Sequence, residues 1–482
     1  MIKDNSESLL SALQREGYGL PAYCGGRGDC GKCKVRLLAN LPEPKEQEIR
    51  LLPKKEREEG WRLACLVREA GEYELELPDI REIELESEEI HVAEAADESS
   101  CALAVDIGTT TLAMSLMDRI KKQVIRTVAG INHQRRFGAD VLSRIDAANR
   151  GQGKMLQRLI EDDLNTLCRN MGAGECIEEL SMPVIISGNT TMEHLLQGLS
   201  CQGLGVYPYK AEDLTMHAYK NMTILPGIST YVGADIVSGI VACGIDQKEE
   251  LSILVDLGTN GEMVIGNRDR IMVASTAAGP AFEGGNISCG SPGIPGAIDT
   301  VEIKNGTAQI TTIGGECPAG ICGSGVLEIV YEFLKGGLMD ETGLLNENYF
   351  DKGYCLAEGI TFSEKDIREV QMAKSAIRAG IDILLTAFGV TPDQVDRLYL
   401  AGGFGQKLNC VKAVGIGLFP EELSDRILAV GNSSLKGAAL LAMDPAFSER
   451  FQRVADISEE IHLANHEMFQ DLYMKHMFFP GE

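Results

Sequence analysis

No apolar run in this 482-residue chain approaches the ~18–20 residues that a membrane-spanning helix needs. The longest runs are short and broken by glycine or charge. The opening MIKDNSESLLSALQREG lacks a basic stretch followed by an apolar one, so no secretory leader is expected. Cations are also scarce. With 45 Lys and Arg against 71 Asp and Glu, the net charge is -26, which argues against a nucleic-acid partner, because phosphate binding needs clustered positive charge. Solubility accounts for most of the acidity, and an acidic surface also repels anionic wrong partners. There is no short-period tandem repeat, and the seven histidines are given no metal role. Without a leader, the 14 cysteines are not expected to form a disulfide framework. A cytoplasmic protein with reduced thiols is expected, a subset of them ligating a metal or cluster.

The length exceeds one ordinary core, so two or three domains are expected. Residues 1–80 form a distinctive cysteine- and glycine-rich block. Between Glu82 and Glu98 lie eight acids and no Lys or Arg, which reads as an exposed linker over residues 81–99. From residue 100 to 482 the texture is α/β. CALAVDIGTTTLAMSLMD and LSILVDLGTNGEMVIGN read as strand, turn, strand; PVIISGNTTMEHLLQGL and DRLYLAGGFGQKL read as strand, turn, helix. VDIGTTT at 105–111 and VDLGTNG at 255–261 repeat one pattern about 150 residues apart, which predicts two related halves.

Cys24, Cys30, Cys33 and Cys65 have the spacing C-x5-C-x2-C-x31-C. Four thiolates from one loop and one distant turn are what a 2Fe–2S cluster requires. Gly25, Gly26, Gly28 and Gly31 let the loop wrap the cluster and turn backbone N–H groups toward sulfur. Structural zinc usually takes two short knuckles, and only one is present. Four unligated thiols in such a loop would be reactive. The block resembles ferredoxins of the plant and adrenodoxin types, with the five-residue spacing nearer the latter. The resemblance implies a β-grasp. Such domains open with a β-hairpin, whereas SESLLSALQREG starts almost at once, so edge strands are expected to be missing.

Asp106, Gly108, Thr109, Thr110 and Thr111 form one glycine turn; Asp256, Gly258, Thr259, Asn260 and Gly261 form another. Glycine lets the backbone approach a phosphate, while Thr hydroxyls and N–H groups donate to its oxygens. The acid in each turn is suited to a hydrated Mg²⁺ rather than to phosphate. Gly402, Gly403 and Gly405 follow a further strand and permit close approach of a base or ribose; an ordinary strand-to-helix turn is the plain alternative. Together these segments resemble the actin-like ATPase superfamily over about 100–445, which implies two α/β halves with ATP in a cleft between them.

Asn189, Thr190 and Thr191 face that cleft or else cap a helix. Asp235 polarises a water, holds metal, or caps. The loop AAGPAFEGGNISCG carries Glu283, and GICGSG opens a helix in a manner that suits an anion. The other ten cysteines are expected to be mainly core thiols, Cys289 and Cys322 being the two to watch. FQDLYMKHMFFPGE is expected to form a helix docked on the ATPase.

Taken in order, the ferredoxin motif, the linker, VDIGTTT, SGNTTMEH, YVGADI, VDLGTNGE, AAGPAFEGG, ICGSG, DIREVQMAKSAIRAGI, LAGGFG and GNSSLKGA resemble the ATP-dependent reductive activators of corrinoid-dependent enzymes. Many such proteins carry a further domain after the ferredoxin, where only the acidic linker is read here. The resemblance implies an N-terminal β-grasp ferredoxin-like domain followed by a two-lobed actin-like (ASKHA) ATPase. It also implies a 2Fe–2S cluster, ATP and Mg²⁺, and reduction of a cob(II)alamin-type cofactor to cob(I) on a corrinoid protein. The electron would come from an upstream low-potential donor, and a homodimer is compatible. By resemblance to the actin-like ATPases the two turns with Asp106 and Asp256 bind phosphate and Gly402, Gly403 and Gly405 contact adenosine, and the catalytic role is given to Asp106, Asp256 and, from its place after a glycine turn, Asp235. Two other readings stand beside it: a small-molecule kinase with a redox-sensing domain, and an electron carrier whose nucleotide site regulates docking.

Overall fold

The structure is a computed structural model that describes residues 2–3, 7–16, 18, 20, 22, 24–78, 100–304, 306–403 and 408–481. The acidic linker 81–99 and Gly405 lie outside the described residues. The chain divides into two compact units. The first comprises Met1–Val184, Gly188–Asp213 and Ala218–Met222; the second comprises Ile185–Ser187, Leu214–His217 and Thr223–Glu482.

Within the first unit, the helix Leu9–Arg15 is started by Ser8, whose hydroxyl accepts from the Ser11 N–H. Its apolar positions Leu9, Leu10 and Leu13 lie on one face and are buried with Val35, Leu37 and Leu63. The strands Trp61–Leu63, Lys34–Leu37 and Leu75–Glu76 form an antiparallel sheet in that order. Glu48 is buried because both its oxygens are used: Oε1 accepts from Leu63 N at 2.7 Å and Oε2 from Lys45 N at 2.8 Å. The missing edge strand of the sequence expectation is present. Ile2–Lys3 pairs antiparallel with Gly71–Glu72, a strand of two residues and so too short to show alternation.

The two repeat motifs open sheets of the same plan. One sheet runs His217–Tyr219, Met222–Ile224, Val184–Gly188, Cys101–Ile107, Thr111–Asp118, Gln123–Ile131; the other runs Ile427–Gly431, Arg397–Ala401, Ser252–Leu257, Gly261–Gly266, Ile271–Thr276, Ser458–Glu460. In each, the motif strand starts an antiparallel meander of three and has further strands on its other side. CALAV and SILV are apolar without alternation, as suits central strands covered on both faces. Each central strand ends at its aspartate and glycine, so both turns fall at a sheet's end.

In the second unit the helix Glu364–Phe388 starts from a capping box between Ser363 and Asp366. The C-terminal helix Phe469–His476 docks on it as expected. Gln371 Nε2 donates to Met477 O at 2.8 Å, and Lys374 Nζ donates to His476 O at 2.5 Å and to Phe478 O at 2.8 Å. Burial, aided by the Arg378 charge, pushes Lys374 down to about 7. An unfolded lysine titrates near ~10.4, so between those values the unfolded chain holds the extra proton and Lys374 adds stability as pH rises. Lys374→Met is expected to remove roughly 2 kcal/mol of the unfolding free energy gained between pH 7 and pH 9, as measured by urea denaturation. An unchanged gain would refute this.

Candidate functional site

Cys24 and Cys30 sit in the glycine loop, Cys33 just before the Lys34–Leu37 strand, and Cys65 in the turn after Trp61–Leu63. Ala64 N donates to Cys33 O at 2.9 Å, which brings the distant turn to the loop. Gly25, Gly26, Gly28 and Gly31 all have positive φ, between 60° and 84°, which side chains other than glycine rarely adopt. The loop is also close-packed: a Cβ on Gly28 would stand 2.8 Å from Leu66 Cδ2.

The thiols form two pairs. A hydrogen bond with Cys30 holds Cys24 down to about 4, helped by the backbone N–H groups of Asp29, Cys30 and Gly28. The same bond, together with burial, pushes Cys30 up. Cys33 is lowered by its bond with Cys65, which is raised in turn. All 14 cysteines are free. Among the described residues no three His, Cys, Asp or Glu side chains are gathered so as to hold one metal ion. Two thiol pairs side by side, in a loop that aims N–H groups at sulfur, fit a binuclear iron–sulfur group, whose two irons each take two protein ligands.

In the first unit's glycine turn, Gly108 N donates to Thr111 O at 3.0 Å, and a Cβ on Gly108 would come within 2.7 Å of that oxygen. Asp106 stands opposite Ala113 in the sheet. Asn189 caps a helix and joins that cap to the turn. Its Oδ1 caps the helix Thr190–Gln197 by accepting from Met192 N at 3.0 Å, and its Nδ2 donates to Thr109 Oγ1 at 3.0 Å. Thr190 and Thr191 are buried in that helix.

Two supports of this turn carry no motif. Asn132, fully buried, donates from Nδ2 to Gly108 O at 2.9 Å and from its backbone N–H to Thr110 O at 3.0 Å. Arg144, fully buried, donates from Nη2 to Thr109 O at 2.5 Å. Burial pushes its guanidinium down to about 9, against the upward pull of Asp140 and Asp163. The carbonyls of Gly108, Thr109 and Thr110 are thereby used, and that of Thr111 accepts from Gly108 N.

The second unit's turn closes one residue tighter, Gly258 N donating to Asn260 O at 3.0 Å. Thr259 Oγ1 donates to Glu283 Oε2 at 3.0 Å, which gives the glycine-rich loop at 277–290 its place beside the turn. Gly402 has φ 92°, and a Cβ there would stand 2.8 Å from Asp256 Oδ1 and from Leu257 O. Only glycine fits this approach of the two segments. A Cβ on Gly403 would meet no atom of the described residues within 4 Å. Asp256 stands opposite Glu262 across the sheet. Glu262 is raised well above the usual carboxylate range, first by burial and then by the negative charges of Asp235 and Asp256. Asp235 lies in the first turn of the helix Ala234–Cys243, which Gly233 rather than Asp235 caps. These three acids therefore share one electrostatic neighbourhood, and a divalent cation would relieve it.

Other expectations change. The GICGSG helix start is packed rather than open: a Cβ on Gly325 would fall 2.2 Å from Ile298 O, and Cys322 Sγ donates to that same oxygen at 3.2 Å. Of the ten remaining cysteines, Cys101, Cys168, Cys201 and Cys322 are buried, whereas Cys317 and Cys355 are exposed. His462 and His466 have three residues between them, a ligand-like spacing, but they flank a single 3-10 turn, Leu463–Asn465. No helix among the described residues is long and apolar enough to cross a membrane.

Three family models match the chain: a 2Fe-2S iron-sulfur cluster binding domain over residues 2–68, the RACo middle region over 101–248, and the C-terminal ASKHA domain of RACo over 250–482. The stretch from 101 to 248 thus matches a region model of its own. The chain is 30% identical to corrinoid activation enzyme RamQ of Eubacterium limosum over 420 residues, which span 78% of this chain and 70% of that protein. It is 28% identical to the Co(II) methylated amine-specific corrinoid protein reductase of Methanosarcina barkeri, covering 77% of this chain and 76% of the other. A solved structure of a reductive activator for corrinoid,iron-sulfur protein superposes with a TM-score of 0.71 at 25% identity, covering 100% of this chain and 96% of that one.

Proposed function

The chain belongs to the RACo family, and on that premise we propose that it is an ATP-dependent activase that returns a corrinoid protein's cob(II) cofactor to cob(I). The observation that carries this reading is the presence in one chain of three cysteines in a glycine loop, a fourth in the turn that Ala64 N ties to Cys33 O, and two repeated glycine turns with carboxylates. A 2Fe–2S cluster held by Cys24, Cys30, Cys33 and Cys65 would supply one-electron transfer in the lower part of the potential range, near ~-400 mV for plant-type clusters. Raising an electron by 100 mV costs ~2.3 kcal/mol. An acceptor of still lower potential would therefore be reduced rarely unless nucleotide turnover drives the step.

The balance is one electron from an upstream low-potential donor to cobalt, coupled to ATP binding or to its hydrolysis by water to ADP and phosphate. For their part, residues 108–111 and 258–261 would meet phosphate through N–H and hydroxyl donors, Asp106, Asp235 and Asp256 would take the catalytic role, the acid of each turn being suited to a hydrated Mg²⁺, and Gly402, Gly403 and Gly405 would bind the nucleoside, Gly405 being outside the described residues. Asn189 and Thr190 serve the first turn, Asn189 by fixing Thr109. The boundaries proposed are 1–80 for the cluster domain, 81–99 for the linker and 100–482 for the nucleotide-binding part. A reducing compartment, the cytoplasm, suits fourteen free thiols.

The test mixes anaerobically purified protein with a cob(II)-loaded corrinoid protein and a low-potential reductant, and follows the visible spectrum with and without Mg-ATP. Cob(I) is expected only with ATP. Equal reduction with and without ATP would favour a nucleotide-regulated carrier, and a phosphorylated small molecule would favour a kinase.

A further inference from the structure

We propose that Arg144 is a positioning residue that ties the first phosphate turn to the seat of the cysteine loop, so that nucleotide binding is felt at the cluster. The proposal rests on the functional reading above and adds a route within the first unit. Arg144 spreads its guanidinium over three backbone or side-chain acceptors: Thr109 O at 2.5 Å, Gly138 O at 3.1 Å and Gln134 Oε1 at 3.3 Å. The first belongs to the phosphate turn. The second belongs to the bend that receives the cysteine loop.

That bend is tightly fitted. A Cβ on Gly138 would stand 2.2 Å from Ser143 Cβ, and a Cβ on Gly25 would stand 3.1 Å from Ser143 Cβ and Oγ and 3.6 Å from Phe137 O. Gly25, beside Cys24, thus lies against Ser143 and Phe137. Ser143 is fixed there by Asp140, which caps the helix Val141–Ala147 and accepts from both Ser143 N and Ser143 Oγ at 2.8 Å.

The short 3-10 turn His133–Arg136 makes a second, parallel link. At its start Asn132 donates to Gly108 O and Thr110 O. At its end the Arg136 carbonyl accepts from the Gln14 amide of the cluster domain. The turn is held stiff between these points, since Gln134 Nε2 donates to Leu156 O at 2.7 Å and the Asp163 carboxylate accepts from His133 N at 2.9 Å. A movement of the turn's carbonyls as phosphate enters must drag Asn132 and Arg144 or break buried hydrogen bonds, and unpaired buried groups are costly. Both residues end on the surface that holds Gln14 and Gly25.

The experiment uses the full-length, cluster-loaded protein and a non-hydrolysable ATP analogue. Hydrogen exchange at residues 24–34 and 137–143 is measured with and without the analogue, beside analogue affinity and the cluster's visible spectrum. Wild type is expected to change its exchange in both segments. Arg144→Met, of similar length and lined by Met192, is expected to keep the spectrum and bind the analogue while losing the response at 24–34. Its ATP stimulation of cob(I) formation should drop by about 2- to 30-fold, the span of couplings carried by such contacts. Arg144→Lys is expected to restore part of it. If Arg144→Met does not fold, Gln14→Ala, which lies outside both sites, decides: loss of the response supports the link, and a wild-type response overturns it. A wild type that binds the analogue with no change at 24–34 also overturns it. A wild type that fails to bind the analogue at all rejects the functional reading itself, which the affinity measurement reports separately.

Discussion

Cys65→Ser is expected to abolish the visible iron–sulfur absorption and to cut ATP-dependent cob(I) formation to background, a loss of roughly 100-fold or more, while Mg-ATP affinity stays at the wild-type value. Even residues behind a metal ligand typically cost 10–100-fold when changed, so a ligand should cost at least as much. Serine keeps the volume of the side chain but replaces a soft thiolate with a hard, poorly acidic hydroxyl, which iron–sulfur groups do not favour. Cys65 is the most informative of the four to change, because it alone comes from outside the loop. It is 1% exposed, its neighbour Ala64 is bonded to Cys33 O, and Leu10 N bonds to Ala64 O. The turn should therefore stay in place without its sulfur, so that the loss reports ligation rather than unfolding. The check is an anaerobic reconstitution followed by visible spectroscopy, iron analysis and nucleotide titration on one preparation. Retention of the spectrum with two irons per chain would remove Cys65 from the ligand set.

The parts of this architecture that could be read in advance are those where backbone chemistry repeats a local pattern. Continuous apolar strands ending in Asp and Gly mark central strands that stop at a sheet's end, and both VDIGTTT and VDLGTNG fall there. The cysteine spacing carries the loop because glycine is needed at each of its positive φ positions. What escaped depends on partners distant in sequence. Arg144 sits in VLSRIDA, an ordinary amphipathic segment, and becomes important only because folding sets it against Thr109, 35 residues earlier. Asn132 is an unremarkable polar residue after a strand until Gly108 is placed beside it. Glu262 belongs to a motif, but its raised protonation follows from burial beside Asp235 and Asp256, and alternation along a strand cannot give the charge of its neighbours. The exposure of Cys317 and Cys355 shows the same limit from the other side, since residue type alone does not say which thiols the fold covers.

Asp256→Asn is expected to reduce Mg-dependent ATP turnover by roughly 10²–10³-fold with the cluster spectrum unchanged. A carboxylate that helps hold Mg²⁺ against developing phosphate charge is worth several kcal/mol, and each ~1.4 kcal/mol is tenfold in rate. The substitution preserves shape, which matters at this position: a Cβ on Gly402 would already meet Asp256 Oδ1 at 2.8 Å, and the residue is paired with Glu262 on one side and Ala401 on the other. Removing the charge also lowers the burden on Glu262, whose proton is held by burial and by the charges of Asp235 and Asp256. Stability should therefore hold or rise slightly while turnover falls, a split that a merely structural role for Asp256 would not give. The measurement is steady-state phosphate release over a Mg²⁺ titration, paired with thermal unfolding. If excess Mg²⁺ restores the rate, Asp256 acts mainly by recruiting the ion; if it does not, the carboxylate acts on the bound complex. Turnover within a few-fold of wild type at all Mg²⁺ concentrations would instead place the metal's carboxylates elsewhere.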